Sequence, residues 1–212
     1  MPSMWIVAGP NGAGKSTFTA KYLQESVLPR GILKLNADEV TARYREHDKD
    51  SPQDELNLRA AREVDAQVIN CILDGQSFLV ETVLSSGKYR ESVALAQRYG
   101  FQFNLVYISL FPPELSPSRV GERVIKGGHA VAWDKAIARY HRSHEELVWF
   151  AGQADLFMIF DNSADDGEPM LIASRNGRLE AVSPPAERFH VRGVNPTVDE
   201  ALSKVSGFSG KQ

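Results

Sequence analysis

A chain of 212 residues, 42% hydrophobic and 24% charged, has the composition of one α/β domain with a single core, which sets aside the disordered and fibrous classes. The net charge of −3 argues against a nucleic-acid surface, and a lone cysteine, Cys71, excludes an internal disulfide. No apolar run is long enough to span a bilayer and the N-terminus carries no secretion signal, so a cytoplasmic protein without a membrane partner is expected.

Residues 4–8 are a short apolar run of strand type. They lead into Gly9, Pro10, Asn11, Gly12, Ala13, Gly14, Lys15, Ser16 and Thr17. This is the P-loop pattern, a glycine, four free positions, then Gly-Lys-Ser. Glycines at 9, 12 and 14 allow a tight, partly left-handed loop whose N–H groups form an anion nest. Lys15 can reach the β- and γ-phosphates of ATP or GTP, and the Ser16 hydroxyl can sit on Mg²⁺. A helix over residues 16–25 adds positive partial charge at its N-terminus.

A second apolar run, 32–36, ends at Asn36, Ala37 and Asp38, and a short helix is expected over 40–47. Ser51 is expected to cap the next helix, with Pro52 at its first position and Gly75 at its end. Leu56, Ala60, Val64, Val68 and Ile72 recur there at helical spacing, and Cys71 falls among them as a small buried residue. A third run, 78–80, ends at Glu81 and Thr82. Residues 87–99 are helical with Gly100 as terminator. Residues 101–110 form a long strand, with Phe103, Leu105 and Tyr107 on one face and Val106 and Ile108 on the other.

Beyond Pro112 and Pro113 a helix over 114–125 is followed by Lys126, Gly127, Gly128 and His129. Asp134 is expected to cap a helix to about residue 150, and residues 155–160 are a fifth strand. Residues 170–173 and 179–182, joined by Asn176 and Gly177, have the pattern of a hairpin. A last helix is expected over 197–205, then a loose tail from 207 to 212. Strands alternating with helices predict a P-loop kinase-like α/β fold. It has about five strands in a mainly parallel sheet, helices on both faces and a C-terminal β-hairpin, in one domain over 1–212.

Ligands in open α/β sheets lie beyond the carboxyl ends of the strands, which places Asp38 and Glu81 beside the P-loop. Asp38 is assigned as general base for an acceptor hydroxyl. Glu81 is assigned to orient the acceptor or a metal-bound water. Either could instead cap the helix that follows, and Thr82 is a neighbouring ligand or a turn residue. Arg119, Arg123 and Lys126 share a helical face before a Gly-Gly hinge, and Arg139 and Arg142 lie three apart after it. Arg123 and Arg139 are assigned to the migrating phosphoryl group. The competing reading is a solvated basic face with pairs such as Glu122 with Lys126. His129 is a turn residue, and His141 and His144 have no partners that complete a zinc site.

The P-loop, Asn36 to Asp38, the strand ending at Glu81 and Thr82, residues 119–129 and residues 139–143 occur together in an order that resembles the zeta toxins and small zeta-toxin-like P-loop kinases of bacteria. The resemblance runs from Trp5 to about Arg178. It implies phosphorylation of a hydroxyl on a small molecule, which in characterised zeta toxins is UDP-N-acetylglucosamine, and it implies an antitoxin protein as a partner. It gives Lys15 and Ser16 to nucleotide and metal, Asp38 to the base, Glu81 to the acceptor site and Arg123 to the γ-phosphate. The chain departs from the family at Val83, where a second threonine is often found. It departs again in the lid loop, which lacks an arginine, so that Arg139 must substitute. It is also shorter than the large toxins.

Three rivals compete with this reading. An ABC-type ATPase would share the P-loop wording, but its signature must be followed by a strand ending in Asp-Glu, and here that strand ends at Ser109. A polynucleotide 5′-hydroxyl kinase would need a basic groove, which the acidic balance disfavours. A non-enzymatic, nucleotide-switched binding protein would not need Asp38 placed as a base.

Overall fold

The computed structural model describes residues 1–23, 28–125, 131–164, 168–176 and 195–205. Strand β1 is Ser3–Ala8, and helix α1, Lys15–Tyr22, follows the P-loop. Strand β2 is Leu33–Asn36, followed by α2, Ala37–His47, and α3, Gln53–Leu73. Strand β3 is Phe78–Thr82, and a single 3₁₀ turn at Gly87–Tyr89 leads into α4, Arg90–Arg98. Strand β4 is Gln102–Ser109, with α5, Leu115–Ile125, and α6, Trp133–Gln153, after it. Strand β5 is Leu156–Asp161, β6 is Met170–Asn176, and α7 is Pro196–Ser203.

The six strands form one sheet in the order β2-β3-β1-β4-β5-β6. The first five are parallel, and β6 pairs antiparallel with β5. Strand β1 is therefore central, with β3 and β4 as its neighbours. The chain leaves β1 for the β2 edge and later crosses to the other side, so the P-loop emerges where the connections diverge.

Every residue of β1 is buried, and period-2 alternation divides its side chains between two cores. Met4, Ile6 and Ala8 join Phe78, Val80, Phe103, Leu105 and Tyr107 beneath α3, α4, α6 and α7. Trp5 and Val7 join Leu79, Val106 and Ile108 beneath α1, where Phe18 packs. The expected division of Phe103, Leu105 and Tyr107 from Val106 and Ile108 is the one observed. Each fully buried large apolar side chain contributes about 1.5–3 kcal/mol. The P-loop is thus anchored on the best-buried strand of the sheet.

Gly75 and Gly100 end α3 and α4 as expected, with φ of 67° and 76°. Gln76 N–H donates to Cys71 O and Phe101 N–H to Ala96 O, both at 2.9 Å, which closes each helix by a six-to-one bond. Other local expectations are corrected. Ser51 does not cap α3, because its hydroxyl and N–H both donate to the Asp48 carboxylate, and Pro52 occupies the cap position. Asp134 lies within the first turn of α6, whose cap position is Ala132. Helix α2 begins at Ala37 rather than at residue 40. The expected hairpin partner of residues 170–173, residues 179–182, lies outside the described residues. The antiparallel pair observed is β5 with β6. Among the described residues no helix is long and apolar enough to cross a membrane.

Candidate active site

The chain leaves β1 through Gly9, whose φ is 143°. A Cβ there would lie 2.1 Å from the Ile108 carbonyl oxygen, so only glycine can pass this close to β4. Gly14, at φ 84°, occupies the N-cap position of α1 in the left-handed region. The loop between them is braced from two sides. The Ser116 hydroxyl donates to Asn11 O at 2.8 Å, and Asn162 Nδ2 donates to Ala13 O at 3.0 Å. Lys15 Nζ donates to Gly9 O and Pro10 O at 3.0 and 3.1 Å. Burial among these groups lowers the Lys15 ammonium to about 8, against the pull of Glu81 and Asp38.

Two carboxylates meet this loop. Ser16 Oγ donates to Glu81 Oε2 at 2.8 Å, and Asn36 Nδ2 donates to the same oxygen at 3.1 Å. Asn36 is also the N-cap of α2 and accepts from Asp38 N at 2.9 Å. One side chain therefore orients Glu81 and fixes the first turn that carries Asp38. Asp38 sits in that turn rather than at the strand end. It still faces the same cavity as Lys15, Ser16 and Glu81.

The cavity holds about 560 Å³. Its other walls are Thr82 at the end of β3, residues 83–86 after it, and Arg119, Arg123 and Arg139 from α5 and α6. Arg123 and Arg139 therefore line the same cavity as the P-loop residues. Arg119 lines the wall but braces it. Its guanidinium donates to the carbonyls of Asn162, Ser163 and Ala164 at 2.6, 3.1 and 3.2 Å. Arg142 is exposed and donates to Ser85 O at 3.3 Å. Thr82 Oγ1 accepts from Leu84 N at 3.1 Å, so the turn role is in place on the cavity wall. Lys126, Gly127, Gly128 and His129 lie outside the described residues.

Asn36 was legible only as part of the Asn-Ala-Asp triplet. Its role appears once β2 and β3 pair and align Asn36 with Glu81. A second group escaped the sequence altogether. His144 is buried, with Nδ1–H donating to Tyr140 O at 2.9 Å and Nε2 accepting from Ser109 Oγ at 2.8 Å. Asn195 Nδ2 donates to Ser109 Oγ and to Asp161 Oδ2, at 3.0 and 2.7 Å. This network joins the carboxyl ends of β4 and β5 to α6 and to the N-terminus of α7. No zinc ligation follows from it, because His144 is saturated by protein partners.

Among the described residues no group of three or more His, Cys, Asp and Glu could hold a metal by itself. The Ser16 hydroxyl against the Glu81 carboxylate is a hard oxygen pair, and it fits a Mg²⁺ that takes most of its ligands from phosphates and water.

A family model described as Zeta toxin matches residues 1–167. The chain is 27% identical over 134 residues to an uncharacterised protein of Haemophilus influenzae, covering 62% of this chain and 88% of that one. It superposes on the AvrRxo1-ORF1:-ORF2 complex with ATP at a TM-score of 0.68 and 16% identity, covering 100% of this chain and 66% of the other. The PezAT toxin–antitoxin system of Streptococcus pneumoniae is similar at a TM-score of 0.59 and 16% identity, with coverages of 82% and 71%. The chain thus spans just under two thirds of the AvrRxo1 chain, and at these identities the two structures speak for the fold.

Proposed function

The chain belongs to the zeta toxin family, and on that premise we propose that it transfers the γ-phosphoryl group of ATP to a hydroxyl of a small molecule, with UDP-N-acetylglucosamine as the first acceptor to test. The observation that carries this reading is the convergence of Asp38, Glu81, Arg123 and Arg139 on one P-loop cavity. A nucleotide-switched binding protein would need Lys15 and Ser16 alone.

The residues divide the work. Lys15 exchanges the carbonyls of Gly9 and Pro10 for the β- and γ-phosphates. Ser16, with Glu81 beside it, holds the metal, and Mg²⁺ bound there supplies charge neutralisation to the phosphate oxygens. Asp38 accepts the proton of the acceptor hydroxyl as its oxygen bonds to phosphorus and the bond to the β-phosphate breaks. Arg123 and Arg139, on the same cavity, stabilise charge on the migrating group, an effect worth about 10³–10⁵ in rate for a well-placed arginine. ATP in the AvrRxo1 complex supports adenine nucleotide as donor. The toxin–antitoxin pairing of PezAT supports an antitoxin protein as partner.

The test is incubation with Mg-ATP and separate pools of UDP-sugars, free sugars, nucleosides and oligonucleotides, read by mass spectrometry. A gain of one phosphate in a UDP-sugar is expected. Phosphorylation confined to oligonucleotide ends would replace the acceptor, and hydrolysis alone in every pool would overturn the transferase reading.

A further inference from the structure

Residues 83–86 line the same cavity as the P-loop, and their backbone is held in an unusual shape. Leu84 has φ of 57°, the one positive φ outside glycine among the described residues. A branched aliphatic side chain disfavours that region, and a residue persists there only when its surroundings over-determine it. Leu84 is buried, so its side chain is fixed by the core. Its N–H is fixed by Thr82 Oγ1.

The carbonyl of that same peptide unit, Val83 O, is fixed from α6. Ser143 Oγ donates to Val83 O at 2.6 Å and lies 2.8 Å from the Tyr107 hydroxyl. A serine hydroxyl has one proton. Since Ser143 gives it to Val83, Tyr107 must be the donor to Ser143. A buried relay therefore runs from Tyr107 on β4, through Ser143 on α6, to the backbone of the 83–86 loop. Three residues before Ser143 on the same helix is Tyr140, and four before it is Arg139, which reaches the phosphate side of the cavity. One helix thus carries both Arg139, assigned to the migrating phosphoryl group, and the donor that holds the 83–86 wall of the same cavity.

We propose that Ser143 is a positioning residue for the acceptor, acting through the Val83 carbonyl and the left-handed turn at Leu84. This rests on the phosphotransferase reading above. Without the Ser143 donor the half-buried Val83 carbonyl loses its side-chain partner, the turn relaxes, and the acceptor wall shifts while the P-loop stays in place.

The experiment compares Ser143→Ala with Tyr107→Phe. In Tyr107→Phe the Ser143 proton still goes to Val83. Tyr107→Phe loses one hydrogen bond and Ser143→Ala loses two, and both lower the melting temperature. Only Ser143→Ala is expected to raise the KM for UDP-N-acetylglucosamine, by about tenfold, the scale of one buried hydrogen bond. The affinity for a fluorescent ATP analogue stays within about twofold, and amide exchange at Leu84 and Ser85 accelerates about tenfold on the same scale. If Ser143→Ala does not fold, Ser143→Cys, with a thiol that is a weaker donor, is expected to show the same directions at smaller size. Unchanged exchange or unchanged acceptor KM in the serine variant overturns the proposal. An equal rise of KM in Tyr107→Phe overturns it too, because the effect would then follow stability. If the wild-type protein phosphorylates no acceptor in any pool, the functional reading itself fails. That outcome is distinct from a wild-type transfer that Ser143→Ala leaves intact.

Discussion

The Ser16 hydroxyl donates to Glu81 Oε2 at 2.8 Å, across 65 residues of sequence, and so ties the P-loop helix to the end of the neighbouring strand. Ser16 has one proton and two lone pairs. It can give the proton to Glu81 and a lone pair to Mg²⁺ at once, which makes Glu81 a partner of the metal ligand. Ser16→Ala is expected to lower kcat at least about a hundredfold, and Glu81→Gln to raise the Mg²⁺ concentration for half-maximal rate about tenfold, the range for loss of a partner that orients a metal ligand. Magnesium titrations of phosphate transfer check both.

Lys15 predicts a pH dependence of nucleotide affinity. In the free protein its ammonium is lowered to about 8, chiefly by burial. Phosphates bind the charged form and raise that value, so binding takes up a proton. ATP affinity is expected to be flat below pH 7 and to fall as pH rises through 8 and above. Calorimetric titration between pH 6.5 and 9.5 reads this directly, and Lys15→Met should bind weakly with no slope over the same window.

His144 predicts a pH dependence of stability. Burial is the largest cause of its shift, and it lowers the imidazole to about 4. The unfolded chain takes up that proton near 6.5. Between these values the unfolded state binds more protons, so the contribution is fully present above about 6.5 and is lost as pH falls toward 4. The loss is about 3 kcal/mol. Urea unfolding at pH 7.5 and 4.5 measures it. His144→Asn should lower stability at neutral pH and remove this share of the slope.

Gly9→Ala is expected to be among the most damaging single substitutions. The added Cβ meets the Ile108 carbonyl oxygen at 2.1 Å, and the backbone cannot retreat because β1 is buried and paired on both sides. A loss above about 4 kcal/mol, or no soluble protein, is the expected result of thermal unfolding trials.

Much of this arrangement was legible in the sequence, for local reasons. The P-loop is a contiguous word, and the strand and helix beside it follow from hydrophobic period. Strand-end placement put Asp38, Glu81 and the P-loop on one edge, and the cavity contains all three. What the sequence concealed was competition between neighbours. Asp48 captures Ser51 before it can cap α3, and Asn36 starts α2 early enough to take Asp38 into its first turn. Arg119 shares a helical face with Arg123, yet the carbonyls after β5 claim its guanidinium. The relay from Tyr107 to Ser143 to Val83 joins residues 36 and 60 apart, and nothing local marks it. Residues whose partners are distant in sequence carry no periodic signal, which is why this relay is not legible there.

If Asp38 serves as the base for phosphate transfer to a hydroxyl, removing its carboxylate slows transfer and leaves nucleotide binding in place. The most direct measurement compares wild type with Asp38→Ala in Mg-ATP and UDP-N-acetylglucosamine, following phosphorylated sugar by mass and ATP affinity by titration. Transfer is expected to fall by about 10²–10⁴ in the variant, the range for general-base catalysis, with ATP affinity retained. Transfer at the wild-type rate, or loss of ATP binding in the variant, would contradict that role for Asp38.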